Sequence, residues 1–367
     1  GAVTYFLQSW GIPYLIGLII LLNVFYKLDW IDPRNKAYGL NYWNKTERPQ
    51  YSRENLAAMS TPANVNADKQ NMIAVLEAWK KKQTDTSGKP LLVLINTSGG
   101  GHRSATFTMG VLQTLDSITN GEIMKRTFLI NGASGGMIGA AYFRELYLRK
   151  LKGENIRLQN KDYISDISGD LLNPLFTSFF ARDLIAPAQK FSVGPYRYVK
   201  DRGYSFEQKL SENTRGFLDK QLKDYVEDEK KARIPLMFFS SVITRDSRKM
   251  IISTQPVRFM MRGEVDSTAI PQADPDAVDF VSFFKNQDPY NIRMLTALRM
   301  NATFPVVLPN VWLPSDPVID VMDAGLRDNY GQETTLRFLS CFEDWIKANT
   351  SGVLLIQIRD RQAGGWE

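Results

Sequence analysis

Cysteine and histidine are nearly absent from this chain: 367 residues contain one of each, Cys341 and His102. A single cysteine excludes an intrachain disulfide and any cysteine-built metal site. A single histidine excludes every mechanism that needs two His ligands, and it leaves a Ser-His-Asp triad only one candidate base. Concentrated charge of one sign is missing as well. The formal net charge is +6, and the 45 Lys and Arg are interleaved with 39 Asp and Glu. Nucleic-acid binding needs a basic face and is set aside, whereas a mild positive balance suits an anionic membrane surface. With 44% apolar and 23% charged residues, the composition is that of a folded protein. The length allows one large catalytic domain with an appendage. Internal repeats and low-complexity tracts are absent.

What is present begins with an uncharged N-terminus. Residues 1 to 26 contain no Asp, Glu, Lys or Arg, and Tyr14 to Leu22 is nearly all Leu, Ile and Gly. About 20 apolar residues cross a bilayer core, so a transmembrane helix is expected within residues 1–30. Trp10 and Tyr14 at one end and Tyr26 and Trp30 at the other match interfacial aromatic anchors. Gly11 and Pro13 interrupt the run. There is no basic n-region and no Ala-x-Ala site, which argues against a cleaved signal peptide. Lys27, Arg34, Lys36, Lys45, Arg48 and Arg53 follow, and the positive-inside rule then turns the catalytic domain toward the cytoplasm. The chain starts at Gly1, which leaves upstream spans open.

Residues 31–88 read as a linker plus an amphipathic helix over 71–82, where Met72, Ile73, Val75, Leu76 and Trp79 recur at helical spacing. Leu91 to Ile95 is a continuous apolar run typical of a buried parallel strand. A glycine loop and a helix over 104–116 follow, then a strand over 127–131 and a helix ending near Lys150. This alternation predicts parallel pairing with right-handed crossovers. Neighbouring strands are expected at 235–243 and 250–253, an inserted loop at 263–279, a helix over 292–301, a strand end before Asp323, a helix over 335–347 and a last strand at 353–358.

Three elements carry chemistry. In Gly132-Ala133-Ser134-Gly135-Gly136, an apolar strand leads into a helix rich in small residues, the context of a nucleophile elbow. The rival is a serine that merely caps a tightly packed helix. Ser98-Gly99-Gly100-Gly101-His102-Arg103 leaves backbone N–H groups free to converge on an anion. It lacks the spacing of a P-loop or of a dinucleotide fingerprint, and beside a serine elbow it reads as an oxyanion hole. Arg103 suits bidentate contact with a substrate phosphate, or equally a structural ion pair. Asp323, after the apolar stretch 318–322, can act as a general base if it reaches the serine hydroxyl.

Together with Ala297 to Pro305, these motifs resemble the patatin-like phospholipase family, which also embraces the catalytic domain of the cytosolic phospholipases. The likeness covers about residues 90–360. It implies a three-layer α/β fold with a mostly parallel sheet over 89–367, with insertions near 153–233 and 254–290. It also implies a Ser-Asp dyad without histidine: Ser134 as nucleophile, Asp323 as base, and the Gly100 and Gly101 N–H groups as oxyanion hole. The expected activity is that of a phospholipase A or lysophospholipase, acting through an acyl-enzyme with no metal or organic cofactor. The expected partners are a phospholipid or lysophospholipid and a membrane. A transacylase, a catalytically silent membrane scaffold and homo-oligomers stay open. Asp323-Ala324-Gly325 departs from the Asp-Gly-Gly or Asp-Gly-Ala common in patatins, and Ser104 stands where Gly is usual. Malonyl-type acyltransferases share a similar elbow but rely on a His beside the serine and a His base. Here Ala133 precedes Ser134, and the one histidine sits in the glycine loop.

Overall fold

The apolar run at 91–95 lies inside an eight-stranded sheet in the computed structural model, which describes residues 5, 10–27, 34–83, 88–171, 173, 175, 189–263, 274–304 and 307–361. The main strands are β1 (Leu91–Thr97), β2 (Thr127–Gly132), β5 (Leu236–Ile243), β6 (Lys249–Ile252), β7 (Ala277–Asp279) and β10 (Gly352–Ile358), in the order β10-β1-β2-β5-β6-β7. β10, β1, β2 and β5 are mutually parallel, whereas β6 runs antiparallel to β5. A short ribbon of β8 (Val311–Leu313) and β9 (Ile319–Met322) joins β5 antiparallel, and β3 (Lys190–Val193) with β4 (Tyr196–Val199) forms a separate hairpin. The fold is α/β with a mostly parallel central sheet.

Alternation along the strands divides the interior into two cores. Val93 and Ile95 face one side, where helices α3 (Gly101–Ile118) and α4 (Ser134–Leu151) contribute Met109, Leu112, Met137 and Tyr142. Leu92 and Leu94 face the other, against Met72, Leu76 and Trp79 of α2 (Pro62–Lys81) and the ring of Phe338. Helices on both faces cover β1, β2 and β5, which are buried and largely apolar, whereas Val353, Leu354 and Leu355 of the edge strand β10 are exposed.

Several expectations change. The helix predicted over 71–82 begins at Pro62, because Thr61 and Pro62 supply an extended N-cap and a preset first turn. Part of the expected linker belongs to the core: Ala37, Tyr38, Leu40 and Leu56 have no exposed surface. The single helix over 335–347 is two, Gln332–Cys341 and Glu343–Asn349, broken where Phe342 turns its ring into the core. Within the stretch read as a loop, residues 264–273 lie outside the described residues, and Ala277–Asp279 pairs with β6.

The expected N-terminal span finds no support. Helix α1 (Gly11–Lys27) has 17 residues, about 25 Å at 1.5 Å each, short of a hydrocarbon core of about 30 Å. Among the described residues no helix is long and apolar enough to cross a membrane. Trp30 and most of residues 1–9 lie outside the described residues.

Candidate active site

Strand topology collects the site. β2 pairs with β5 up to Gly132↔Phe239, and β9 pairs with β5 from Val242↔Met322. One runs parallel to β5 and the other antiparallel. Their C-terminal ends therefore approach head-on along one edge, separated by the span of Ser240 and Ser241. The residues just beyond those ends are Ala133-Ser134 and Asp323.

The elbow is tight for a steric reason. Ser134 has φ +53°, a left-handed conformation that costs a non-glycine residue on the order of 1 kcal/mol or more. Gly132 precedes it at φ +143°, and a Cβ there would stand 2.0 Å from the Thr97 carbonyl oxygen. The strained turn projects Ser134 from the N-terminus of α4, where the helix dipole favours developing negative charge.

The Asp323 carboxylate faces the Ser134 hydroxyl across one cavity, close enough for that hydroxyl to favour its charged form, and its Oδ1 accepts from the Gly325 N–H at 2.6 Å. Burial raises the Asp323 pKa from 3.8 to about 6, and the Gly325 N–H and the Ser134 hydroxyl only partly oppose it. A carboxylate with that pKa is ionised at neutral pH and basic enough to take a hydroxyl proton as negative charge moves elsewhere.

Gly100 and Gly101 have φ +152° and +61°, and Gly101 opens α3. The Gly99 N–H is committed, donating to the carbonyl oxygen and side-chain Oδ1 of Asn329. The Gly100 and Gly101 amides, at and just before the start of a helix, have no intrahelical acceptor. They border the same cavity as Ser134.

That cavity has a volume of about 810 Å³ and an apolar wall that includes Ile138, Leu171, Leu175, Phe206 and Leu308. His102 also lines it, but its Nε2–H donates to the Ile167 carbonyl at 2.9 Å rather than serving Ser134. Arg103 is absent from its wall. The Nε of Arg103 instead donates to Asp360 Oδ2 at 2.8 Å, so the structural ion pair describes its position. Among the described residues no group of three or more acidic, His or Cys side chains is arranged to hold a metal.

Two asparagines tie the loops together, and neither was singled out from the motifs. Asn301, at the end of α5 (Met294–Asn301), donates through Nδ2 to the carbonyls of Gly132 (3.1 Å) and Ser240 (2.7 Å), while its backbone carbonyl accepts from Ala324 N–H at 3.2 Å. The Asn301 side chain thus fastens the elbow to β5, and its backbone holds the aspartate loop. Asn329 fastens the aspartate loop to the glycine loop through Gly99. α5 is itself anchored: Arg299 Nε and Arg293 Nη1 donate to the buried Glu207 at 2.8 and 3.0 Å. Only the occurrence of Asn301 in the family-like stretch 297–305 hinted at it.

No curated protein sequence matches the chain. Among solved structures, human GIVD cytosolic phospholipase A2 in complex with methyl gamma-linolenyl fluorophosphonate is similar at 16% identity and a TM-score of 0.37, over 76% of this chain and 44% of that one. Human GIVD cytosolic phospholipase A2 is similar at 15% identity and a TM-score of 0.34, over 67% of this chain and 34% of that one. The chain spans less than half the length of those structures. The family description "Patatin-like phospholipase" matches residues 97–336, a segment holding the glycine loop, the elbow and Asp323. With more than half of its length so matched, the chain belongs to the patatin-like phospholipase family.

Proposed function

We propose that the chain hydrolyses carboxylic ester bonds of phospholipids or lysophospholipids through a Ser134–Asp323 dyad. The observation that carries this reading is that Ser134 and Asp323 face each other in one largely apolar cavity. A volume of about 810 Å³ falls within the roughly 300–1,000 Å³ of ligand-enclosing pockets, and its wall suits a fatty acyl chain. Ser134 Oγ attacks the acyl carbonyl while Asp323 takes the hydroxyl proton. The Gly100 and Gly101 amides receive the oxyanion. Collapse expels the alcohol, which leaves with the proton from Asp323. Water then enters, gives its proton to Asp323, and releases the fatty acid while Ser134 regains its hydrogen.

A fluorophosphonate probe tests the assignment. The expected result is one covalent adduct, mapped by mass spectrometry to Ser134, together with fatty-acid release from phospholipid vesicles. An unlabelled Ser134 in folded protein refutes it and favours a silent scaffold.

The mouth of the cavity supports a lipid surface as the source of substrate. Phe304 and Leu326 line it, yet are 65% and 61% exposed. Large apolar side chains so placed bury area when the mouth meets a bilayer. Replacing both by serine is expected to lower the ratio of vesicle turnover to soluble-ester turnover roughly tenfold. An unchanged ratio removes this rim from the membrane contact.

A further inference from the structure

A second, smaller cavity adjoins the first on the far side of the glycine loop. β10 is the parallel neighbour of β1 in register up to Thr97↔Ile358, and the Ser98 N–H donates to the Ile358 carbonyl at 3.0 Å. Residues 98–100 and 359–361 therefore leave the sheet side by side at the carboxyl ends of two parallel strands, where open α/β sheets bind ligands. Between them lies a cavity of about 240 Å³, lined by Ser98, Gly100, Tyr330, Arg359, Asp360 and Arg361 among others. Gly99, Gly100, Asn329 and Arg361 border both cavities.

Resting on the hydrolase reading above, we propose that this cavity receives the phosphate of the lipid headgroup, with Arg361 and Ser98 as its recognition residues.

Three observations converge on a phosphate. The Asp360 carboxylate is nearly inaccessible and is matched by Arg103 at 2.8 Å, so the charge of Arg361 sets the sign of the site. The Ser98 hydroxyl is buried and has no hydrogen-bond partner among the described residues. A buried donor of this kind is stabilised by an acceptor oxygen arriving with a ligand. Arg361 is exposed where the two cavities meet, and a guanidinium suits the paired oxygens of a phosphodiester. The adjoining cavities match the substrate's own layout. An acyl chain in the apolar cavity puts its ester at Ser134, and a phosphate attached through the glycerol carbons reaches the polar one across Gly99 and Gly100. Arg103 then acts indirectly, holding Asp360 and hence the 359–361 segment against the glycine loop.

The test compares two lipids with the same acyl chain, a lysophosphatidylcholine and a monoacylglycerol. Arg361→Gln is expected to lower the ratio of their kcat/KM values about tenfold, the loss of one exposed charge-assisted contact, and Arg361→Lys to restore part of it. Ser98→Ala shifts the ratio in the same direction. Inorganic phosphate is expected to inhibit turnover of lysophosphatidylcholine, with Arg361→Gln blunting the inhibition. A ratio unchanged in Arg361→Gln overturns the subsite, and so does phosphate sensitivity lost without a change in the ratio, which assigns the cavity to free phosphate. Equilibrium binding of both lipids to Ser134→Ala protein reads the subsite without turnover. There Arg361→Gln weakens lysophosphatidylcholine about tenfold relative to monoacylglycerol, and equal weakening overturns the proposal. A wild type inert toward both lipids and toward p-nitrophenyl esters instead overturns the hydrolase reading, which separates the two failures.

Discussion

Replacing Ser134 by alanine or Asp323 by asparagine is expected to lower kcat for a p-nitrophenyl ester by roughly 10³-fold or more, with the double variant little worse than either alone. The two groups act on one proton, so losing either removes the same step. Stability moves the other way at Asp323. Its folded pKa of about 6 lies above the ordinary 3.8, because burial penalises the charge more than the Gly325 N–H and the Ser134 hydroxyl favour it. A carboxyl raised in this way costs the fold nothing below pH 4. The cost grows as pH climbs from about 4 to 6 and stays constant above. Asparagine keeps an oxygen for the Gly325 N–H and carries no charge. Asp323→Asn should therefore match wild type in thermal unfolding near pH 4 and exceed it by about 1–2 kcal/mol at pH 8, the value being reduced for water at the cavity mouth. The same group sets the rate profile: kcat/KM is expected to fall about tenfold per pH unit below pH 6 and to level off above it. A wild-type profile flat from pH 4.5 to 8 excludes Asp323 as the titrating base.

The motifs were legible because each is a local chain property. An apolar strand, a run of small residues and a following helix fit into a few consecutive positions, and so do the glycine loop and Asp323. What joins them was not legible. Asn301 acts because β9 enters the sheet antiparallel and brings Ala324 under its carbonyl, a pairing that no window around residue 301 contains. Asn329 and Asp360 meet the glycine loop across more than 200 residues of sequence. The N-terminal expectation had a different outcome. Hydropathy registered apolar residues from Tyr14 to Leu22 but not where the helix starts and stops, and among the described residues no helix is long and apolar enough to cross a membrane. In the 35–60 segment, polar residues between the aromatics hid core positions such as Tyr38 and Leu56, because irregular backbone buries side chains without a period.

Gly139→Ala is expected to cost about 2–4 kcal/mol, and Gly139→Val to leave little folded protein, although residue 139 touches no reacting group. α3 and α4 approach backbone to backbone. A Cβ at Gly135 would stand 1.7 Å from the Gly101 carbonyl oxygen, and one at Gly139 would stand 2.2 Å from the Ala105 carbonyl oxygen. Each pair lies four residues along its helix, so the contacts stack one turn apart on facing surfaces. Neither acceptor is the movable end of a side chain. The helices must separate, and that separation moves the glycine loop away from the nucleophile. Gly135→Ala, at the active-site end of the seam, should therefore lose turnover in the protein that still folds, whereas Gly139→Ala, one turn deeper, should show chiefly as a lower urea midpoint. Gly110→Ala supplies the control on α3. A Cβ there meets only Ile164 Cδ1 at 3.8 Å, an ordinary contact, and alanine is the better helix former by about 1 kcal/mol. Its urea midpoint should rise. If Gly139→Ala unfolds at the same urea concentration as wild type, the two helices are not held at backbone contact, and the spacing between oxyanion hole and nucleophile has another origin.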